Sequence, residues 1–158
     1  MASGGYDCLW IAKKLPRVEQ TMQRIPEWSI DLSTGNPSID YLHQMLLVLA
    51  RKTIQAYDAV ELGKREFHSS LNRLYTTADE LFSVEEAVLA TRGDPTLAHH
   101  RAEHDRYRER ITELLVLASI GKKIDRDGLC DILEDWSTRH LFKTDMISKP
   151  YMVPEGRQ

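Results

Sequence analysis

The chain has little cysteine, no excess of basic residues and no long hydrophobic run, and each shortage excludes a class of protein. Its two cysteines, Cys8 and Cys130, are too few for a disulfide framework and indicate reduced thiols in a cytoplasmic protein. The 24 acidic residues outnumber the 21 basic ones, so a basic surface for nucleic acid is not expected. No apolar run approaches the ~18 residues of a membrane span, and the N-terminus lacks the pattern of a secretory signal.

The composition is nevertheless that of a globular protein with a substantial core. Hydrophobic residues make up 42% of the chain and charged residues 28%, which excludes a disordered class. A chain of 158 residues corresponds to about one domain, and at this size folding buries roughly two thirds of the unfolded surface. Neither a disulfide nor an obligatory partner is therefore required for stability.

Proline and glycine divide most of the chain into four long segments whose apolar residues recur at helical spacing. Asn36-Pro37 and Asp94-Pro95 each combine a capping side chain with a proline that suits the first helical position. Pro150 is expected to stop the last helix. Three predicted helices cover about residues 37–59, 65–91 and 95–120, and a fourth starts at Asp125 or Asp127 and runs to about 149, with a turn at 61–64.

The short connections between these helices predict antiparallel neighbours, and hence an all-α, up-down-up-down four-helix bundle. No stretch shows the alternation that is typical of an exposed-face strand. The chain is predicted to divide into an N-terminal extension (1–26), the bundle (27–151) and a C-terminal tail (152–158). For the extension, which contains Cys8 and Trp10, three roles stay open: packing on the bundle, binding a partner, or mobility.

Histidine and acidic side chains recur on the helix faces that are expected to be buried. His100 and His104 are four residues apart, so both rings project from one face of the third helix. His43, Glu85 and His140 accompany apolar residues at helical spacing on the other helices. The candidate metal ligands, at least one from each helix, are His43, Glu85, His100, His104, His140 and Asp145.

The chemistry of this set favours a metal centre over six separate core residues. A lone histidine on an apolar face is more often a hydrogen-bonded core residue than a ligand, but a buried carboxylate is normally paired or bound to a metal. Imidazole and carboxylate ligands together suit iron, manganese or zinc. Two carboxylates that are able to bridge favour a two-metal site over a single zinc, and four-helix bundles are a known place for di-iron centres.

Two neighbouring features have structural interpretations instead. Asp40 is expected to cap the first turn of the first helix rather than to bind a metal, because a carboxylate is favourable near the positive end of the helix dipole. The run of alternating charges at residues 101–110 is interpreted as a solvated face with i,i+4 ion pairs.

Four motifs, in the right order and at the right spacing, resemble those of the hemerythrin family, specifically the single-domain bacterial hemerythrins with an HHE-type di-iron site. The resemblance covers roughly residues 27–151. Its motifs in this chain are IDYLH at 39–43, LFSVEE at 81–86, HRAEH at 100–104 and WSTRHLFKTD at 136–145.

The resemblance implies two irons per chain inside the bundle, with O2 binding at the open position of the second iron. Glu85 and Asp145 would bridge the two irons together with a solvent oxygen. The remaining protein ligands would be, for the first iron, His100, His104 and His140 and, for the second, His43 and the histidine of the second-helix motif.

This chain departs from the family pattern at Leu81, which occupies the position of the second-helix histidine and cannot bind a metal. His68 lies about 20 Å away along the helix, and His99 points about 100° away from His100, so neither is a substitute. The second iron would keep His43 and the two bridges. Either solvent or an exogenous ligand then completes a weaker second site, or that position is vacant or partly filled.

A second departure is Ser137, three residues before His140, where the family places a bulky apolar residue over the O2 pocket. Together with Leu81, Phe82 and Trp136 it makes up the predicted ligand pocket. The Ser137 hydroxyl either makes this pocket wetter and hydrogen-bonds a bound ligand, or faces a neighbouring helix.

The leading functional hypothesis is a cytoplasmic, non-haem iron protein that binds O2 or a related small ligand, for sensing or for handling O2 or iron, with a signalling partner as one option. The first alternative is an iron-dependent redox enzyme that acts on peroxide or nitric oxide. The second is a metal-free interaction bundle, against which the cost of burying six polar groups argues. No catalytic residue is assigned, and neither nucleic acid nor a membrane is an expected partner.

Overall fold

All regular secondary structure in the described part of the chain is helical, which confirms the predicted all-α fold class. The computed structural model describes residues 24–59 and 63–154. The elements are a 3-10 turn (Ile30–Leu32), α1 (Pro37–Asp58), α2 (Gly63–Arg92), α3 (Leu97–Ser119), α4 (Arg126–Asp135), a π-helical segment (Trp136–Thr144) and α5 (Asp145–Met152). The last three run on from one another, because the residues at their junctions keep helical backbone angles. Four antiparallel helical arms therefore form the predicted bundle.

Parts of the sequence prediction lie outside the described residues. They are most of the N-terminal extension, with Cys8 and Trp10, the first half of the turn at 61–64, and the end of the C-terminal tail. Among the described residues, none of the helices combines the length and the apolar character that crossing a membrane needs.

The first helix begins as its sequence predicts. The Asn36 side chain accepts hydrogen bonds from the backbone N–H groups of Ser38 and Ile39, and Pro37 occupies the first helical position. Each bond satisfies an N–H group that has no partner within the helix. Local side-chain chemistry therefore suffices to place this boundary.

The third helix begins two residues later than predicted. Asp94 does not cap it but accepts hydrogen bonds from the backbone N–H (2.7 Å) and hydroxyl (2.8 Å) of Thr96. These bonds hold a short turn over 94–96, and α3 begins at Leu97. The Asp94-Pro95 pattern therefore predicted the boundary between the second and third helices to within two residues. The Asp94 carboxylate, however, stabilises the turn before α3 instead of capping the helix.

The last helix continues past Pro150, where it was predicted to stop, and ends at Met152. A proline inside a helix removes one backbone hydrogen bond, so tertiary contacts must stabilise the final turn. Met152 is completely buried, and its carbonyl accepts a hydrogen bond from the Asn36 side chain (3.1 Å). Arg92 donates similarly to the carbonyl of Val153 (2.8 Å). These contacts outweigh the local preference of proline.

The core is a continuous set of leucine, isoleucine and aromatic side chains between the arms. α1 packs on α2, α2 packs on α3, and α5 packs against the last turns of α2. Among the fully buried residues are Ile39, Leu71, Leu89, Leu129 and Leu141, which come from three of the four arms. Within this apolar surround lies a cluster of buried polar side chains, and the packing of the arms brings that cluster together.

Replacing Asp40 by alanine should destabilise the whole bundle. The Asp40 carboxylate accepts hydrogen bonds from the Ser33 hydroxyl (2.5 Å) and from the backbone N–H and hydroxyl of Thr34 (2.7 and 2.8 Å), and Thr34 is completely buried. It therefore ties the loop before α1 to the helix, close to the capping role that the sequence predicts. Losing these bonds should reduce the free energy of unfolding by about 2–3 kcal/mol.

Urea unfolding followed by circular dichroism measures this change. The matched control is Asp31→Ala, which removes an exposed carboxylate nearby and should shift the free energy by less than about 0.5 kcal/mol. Equal effects of the two substitutions would show that the Asp40 hydrogen bonds do not stabilise the fold.

Candidate metal centre

Six polar side chains from all four arms meet inside the bundle. His43 comes from α1, Glu85 from α2, and His100 and His104 from α3. The fourth arm contributes His140 from the π-helical segment and Asp145 from the first position of α5. Each of the six is at most 1% exposed to solvent. The structure thus brings together the same six residues that the sequence singled out: His43, Glu85, His100, His104, His140 and Asp145.

The imidazole rings direct their Nε2 atoms toward the centre of this cluster. The Nε2 atoms of His104 and His140 are 3.0 Å apart. The Nε2 atom of His100 lies 3.5 Å from Glu85 and 3.3 Å from Asp145. Since all three rings present the same nitrogen to one region, they form a three-histidine group around a common point.

Each of the two carboxylates divides its oxygens between the three-histidine group and His43. Glu85 places Oε1 2.9 Å from Nε2 of His43 and Oε2 3.1 Å from Nε2 of His104. Asp145 places Oδ2 3.2 Å from Nε2 of His43 and Oδ1 3.2 Å from Nε2 of His140. This arrangement defines two adjacent positions that share both carboxylates, one beside three imidazoles and one beside a single imidazole.

The π-helical segment explains how His140 and Asp145 both reach the cluster. Residues five apart in an α-helix point about 140° away from each other. In a π-helix the backbone bond spans five residues, so such residues lie one turn apart on the same face. The N–H of Asp145 donates to the carbonyl of His140, which closes such a turn. At the start of the segment, the Ser137 and Thr138 hydroxyls both donate to the carbonyl of Glu134.

Two further carboxylates, which the sequence analysis did not identify as part of the site, bind the outward Nδ1 atoms of the histidines. His104 Nδ1 lies 2.8 Å from Glu86, and His140 Nδ1 lies 2.9 Å from Glu103. The Thr144 hydroxyl also donates to Glu103 (2.7 Å). The hydrogen bond from His140 lowers the pKa of Glu103 to about 2 although burial opposes the shift, so Glu103 is charged at neutral pH.

The interpretation of residues 101–110 as a solvated face is therefore wrong for part of the run. Glu103 is 8% exposed and Tyr107 is 1% exposed, although Arg101, Asp105 and Arg106 are exposed as expected. Glu103 and Tyr107 are four residues apart on the same side of α3, which the helical period could have shown. The charge of Glu103 concealed this, because a glutamate among arginines is typical of a surface.

The four predicted pocket residues are all buried beside the cluster. The Phe82 ring stacks on His104 with the ring centroids 4.0 Å apart, and the Trp136 ring lies 6.3 Å from that of His43. Leu81 is completely buried one turn before Glu85. The Ser137 hydroxyl donates to the Glu134 carbonyl of its own arm (3.1 Å), and not to a neighbouring helix.

The structure also agrees with the exclusion of the other two histidines. The side chain of His99 is 71% exposed and lies 3.9 Å from Glu103 at the surface. His68 is partly buried on α2, more than four turns before Glu85. Neither belongs to the cluster.

Electrostatic coupling inside the cluster shifts the pKa of the histidines upward. Burial acts to lower each of these pKa values, but the carboxylates of Asp145 and Glu85 outweigh it and raise the pKa of His43 and of His100 to about 10. For His140, Asp145 likewise overcomes burial and raises the pKa to about 9. Burial and mutual repulsion raise the pKa of Glu85, yet the surrounding imidazoles lower it below its ordinary value. The interior therefore attracts cations, whether protons or metal ions.

The unsatisfied atoms of the cluster fit a metal ion. Among the described residues, Nε2 of His43, Nε2 of His100 and all four oxygens of Glu85 and Asp145 have no hydrogen-bond partner. Donor atoms that bind one ion at about 2.1 Å lie about 3.0–3.4 Å apart, and the contacts in the cluster are 2.9–3.5 Å. Two overlapping donor groups have all their ligand atoms within 4.8 Å of one another: Glu85 with His100, His104 and His140, and His43 with Glu85 and Asp145.

The metal-free protein should lose stability at alkaline pH. The pKa values of His43, His100 and His140 rise from 6.5 to about 9 or 10 on folding. Their contribution to stability is therefore complete below pH 6.5 and is lost as the pH rises through about 9–10. The lowered pKa of Glu85 acts in the opposite direction, with stability present above its ordinary value of 4.5 and lost on acidification. We expect the thermal unfolding midpoint in chelator to be higher near pH 6 than near pH 9.5.

Thermal unfolding at several pH values, with and without a divalent cation, checks this expectation. Bound cation should reduce the dependence, because it replaces the protons on the histidines. His68→Gln is the control and should leave the profile unchanged. A midpoint that is constant from about pH 6 to pH 9.5 in chelator would contradict the assigned pKa shifts.

Comparison with known proteins identifies relatives of the same architecture. The chain is 25% identical over 114 residues to Bacteriohemerythrin of Campylobacter jejuni subsp. jejuni serotype O:23/36 (strain 81-176). The matched region covers 72% of this chain and 85% of the relative. The crystal structure of wild-type hemerythrin has a TM-score of 0.72 and 21% identity and covers 82% of this chain and 99% of that chain. A leucine-to-tyrosine mutant of hemerythrin has a TM-score of 0.74 and 20% identity, with 83% and 99% covered.

At these identities the structural likeness shows the fold, whereas membership rests on the sequence itself. The family model described as the Hemerythrin HHE cation binding domain matches residues 35–152, a range that contains all six residues of the cluster. The chain therefore belongs to the hemerythrin family, as the four motifs predicted.

Proposed function

We propose that this chain holds non-haem iron in the buried cluster and binds O2 or a related small ligand there, for sensing or for handling O2 or iron. The observation that carries this proposal is the division of oxygens by Glu85 and Asp145 between His43 and the three-histidine group. Two carboxylates that each face two positions are suited to bridge a pair of ions. The mixed imidazole and carboxylate donor set suits iron.

The first iron position is assigned to the three-histidine group with one oxygen from each carboxylate. These donors are His100, His104, His140, Oε2 of Glu85 and Oδ1 of Asp145. They would provide up to five protein ligands for one ion. Iron at this position should therefore be held firmly.

The second position has fewer protein donors. It offers His43, Oε1 of Glu85 and Oδ2 of Asp145, while Leu81 fills the place one turn before Glu85 where the family resemblance expects a histidine. Solvent or an exogenous ligand must complete this position if an iron occupies it. We therefore propose that the second iron is the weaker one and the one that exposes open coordination to ligands.

A small apolar cavity lies beside Phe82 and Trp136, near the cluster. Its volume is about 10 Å³, close to the least that holds one water molecule, so a ligand larger than water would need the surrounding side chains to move. The Trp136 Nε1–H is buried and has no acceptor among the described residues. We assign it as a donor to a small ligand, since an unmet buried N–H is otherwise costly.

The protein residues set the conditions for this chemistry. Bound iron would supply open coordination and electrons to a small ligand. The side chains of Leu81, Phe82 and Trp136 exclude bulk water, and the outer carboxylates Glu86 and Glu103 orient the imidazoles. Ser137 places a small side chain in the wall of the proposed ligand pocket, at a position where the family resemblance predicts a bulkier apolar residue.

The low number of donors at the His43 position also favours a second candidate function. An iron with several positions open to exogenous molecules is suited to turnover of peroxide or nitric oxide, and not only to reversible binding. By contrast, the unsatisfied interior of the cluster disfavours the metal-free interaction bundle. The division into an extension (1–26), a bundle (27–151) and a tail (152–158), the cytoplasmic location and a signalling partner stay proposals that rest on the sequence.

Purified protein that is loaded anaerobically with ferrous iron should retain about one to two irons per chain after gel filtration. Admission of O2 should change its visible absorption, and removal of O2 should reverse at least part of the change. His104→Gln should reduce the retained iron more than about tenfold, because it removes one donor of the three-histidine group. His68→Gln is the control and should retain iron as the wild-type chain does.

Three outcomes separate the hypotheses. A folded wild-type chain that retains no iron would refute the iron-binding proposal. Retained iron with sustained consumption of peroxide or nitric oxide would favour the redox enzyme over the binding protein. Retained iron with no spectral response to O2 or to either alternative ligand would refute ligand binding at this centre.

Leu81→His should strengthen the second position. The new imidazole would stand one turn before Glu85, on the same helix face, and would add a nitrogen donor to His43 and the two carboxylates. The retained iron should rise toward two per chain, with the weaker affinity increasing by at least about tenfold. Elemental analysis and competition with a chelator measure both quantities.

Leu81→Met is the matched control, because it conserves volume without adding an imidazole. Equal iron retention by the two variants would show that Leu81 does not limit the second position.

A further inference from the structure

In the described part of the chain, the outer carboxylates that bind histidine Nδ1 atoms lie on one side of the cluster. His104 and His140, both of the three-histidine group, have Nδ1 bound by Glu86 and Glu103 at 2.8 and 2.9 Å. Among the described residues, Nδ1 of His43 on the opposite side has no hydrogen-bond partner. The two cation positions therefore differ in their outer partners as well as in their number of imidazoles.

Glu86 is held in place by the surface of α3. The Arg108 guanidinium donates to Glu86 (3.1 Å) and to Asp79 (2.8 Å), and it lies over the Phe82 ring, 5.3 Å from its centroid. Phe82 in turn stacks on His104. Arg108 thus fixes both the acceptor of the His104 ring and the aromatic surface on which that ring rests.

Glu103 is held by the fourth arm. Its Oε2 atom accepts from the Thr144 hydroxyl (2.7 Å) and lies 2.9 Å from Nδ1 of His140, four residues earlier on the π-helical segment. The Glu103 side chain is only 10% exposed, so water competes little for its oxygen. The His140 ring is therefore fixed between α3 and its own arm.

An acceptor at Nδ1 has two consequences for a metal-binding imidazole. It keeps the proton on Nδ1, so that the lone pair of Nε2 faces the cation, and a carboxylate acceptor makes the ring a stronger donor. Both consequences apply to His104 and His140. Neither applies to His43.

We propose that Glu86 and Glu103 are positioning residues that hold the Nε2 atoms of His104 and His140 toward the three-histidine position. As a result, this position binds a cation more tightly than the His43 position and fills before it. This inference rests on the proposed function, because it concerns the same cluster. It adds residues that touch no cation and assigns them the order in which the two positions fill.

Zinc titration of the metal-free protein, with isothermal calorimetry and 15N imidazole spectra, tests the proposal without any catalytic readout. In metal-free wild-type protein at about pH 10.5, above the pKa of about 9 of His140, both rings should be Nδ1–H tautomers. The first Zn2+ should bind Nε2. Glu86→Ala and Glu103→Ala should each weaken the first binding step about 10- to 100-fold and leave the second step unchanged. Glu86→Gln and Glu103→Gln, which retain an oxygen acceptor and the side-chain shape, should restore part of the affinity.

Glu109→Ala is the matched control, because it removes an exposed carboxylate from the same helix, and it should not change either step. Unchanged affinity and unchanged tautomers in all four variants would overturn the proposal while leaving cation binding intact. A folded wild-type chain that binds no Zn2+ or Fe2+ tightly would instead refute the proposed function. If the alanine variants do not fold, the glutamine variants decide the question. A glutamine variant that loses the Nδ1–H tautomer but binds the first Zn2+ as tightly as the wild-type chain would refute the inference, because the tautomer would then not set the order of binding.

Discussion

The burial of two carboxylates at one point inside an all-helical core is the constraint on which the rest of the structure depends. Glu85 and Asp145 are completely buried, and the groups that approach their oxygens within the cluster are imidazoles. Two buried negative charges side by side are tolerable only if cations compensate them. The raised pKa values of the surrounding histidines have the same cause. Protons on the imidazoles compensate the two carboxylates in the metal-free protein, and metal ions would compensate them in the proposed metal-bound protein.

The compensation is unequal on the two sides of the carboxylates. Among the described residues, three imidazoles face one side and one imidazole, that of His43, faces the other, and Leu81 is buried one turn before Glu85. Firm binding and open coordination are competing demands on a metal site, because each protein ligand occupies a position that a substrate or ligand needs. An asymmetric cluster meets both demands by dividing them between its two positions. Because of this division, the same cluster is compatible with a protein that binds a small ligand and with a redox enzyme.

The asymmetry extends outward from the cluster to the surface of the bundle. Glu86 and Glu103 connect His104 and His140 to Arg108 and Thr144, so that the orientation of buried rings depends on residues near solvent. The π-helical segment contributes in another way, since it turns Asp145 onto the same face as His140 at the cost of a less regular backbone. Such departures from regular helix geometry are frequent at functional sites.

The sequence by itself determined the helical class, the start of the first arm, and the set of six residues that meet in the core. It could do so because helical periodicity, caps such as Asn36, and the spacing of His100 and His104 are local properties of the chain. Only the tertiary structure decided how the oxygens of Glu85 and Asp145 divide, that Glu103 is buried, and that the last helix continues past Pro150. These features depend on contacts between arms: Glu103 is paired with His140, 37 residues away, and Met152 with Asn36, 116 residues away. A local pattern cannot contain the energy of such contacts, because that energy exists only after the arms have packed.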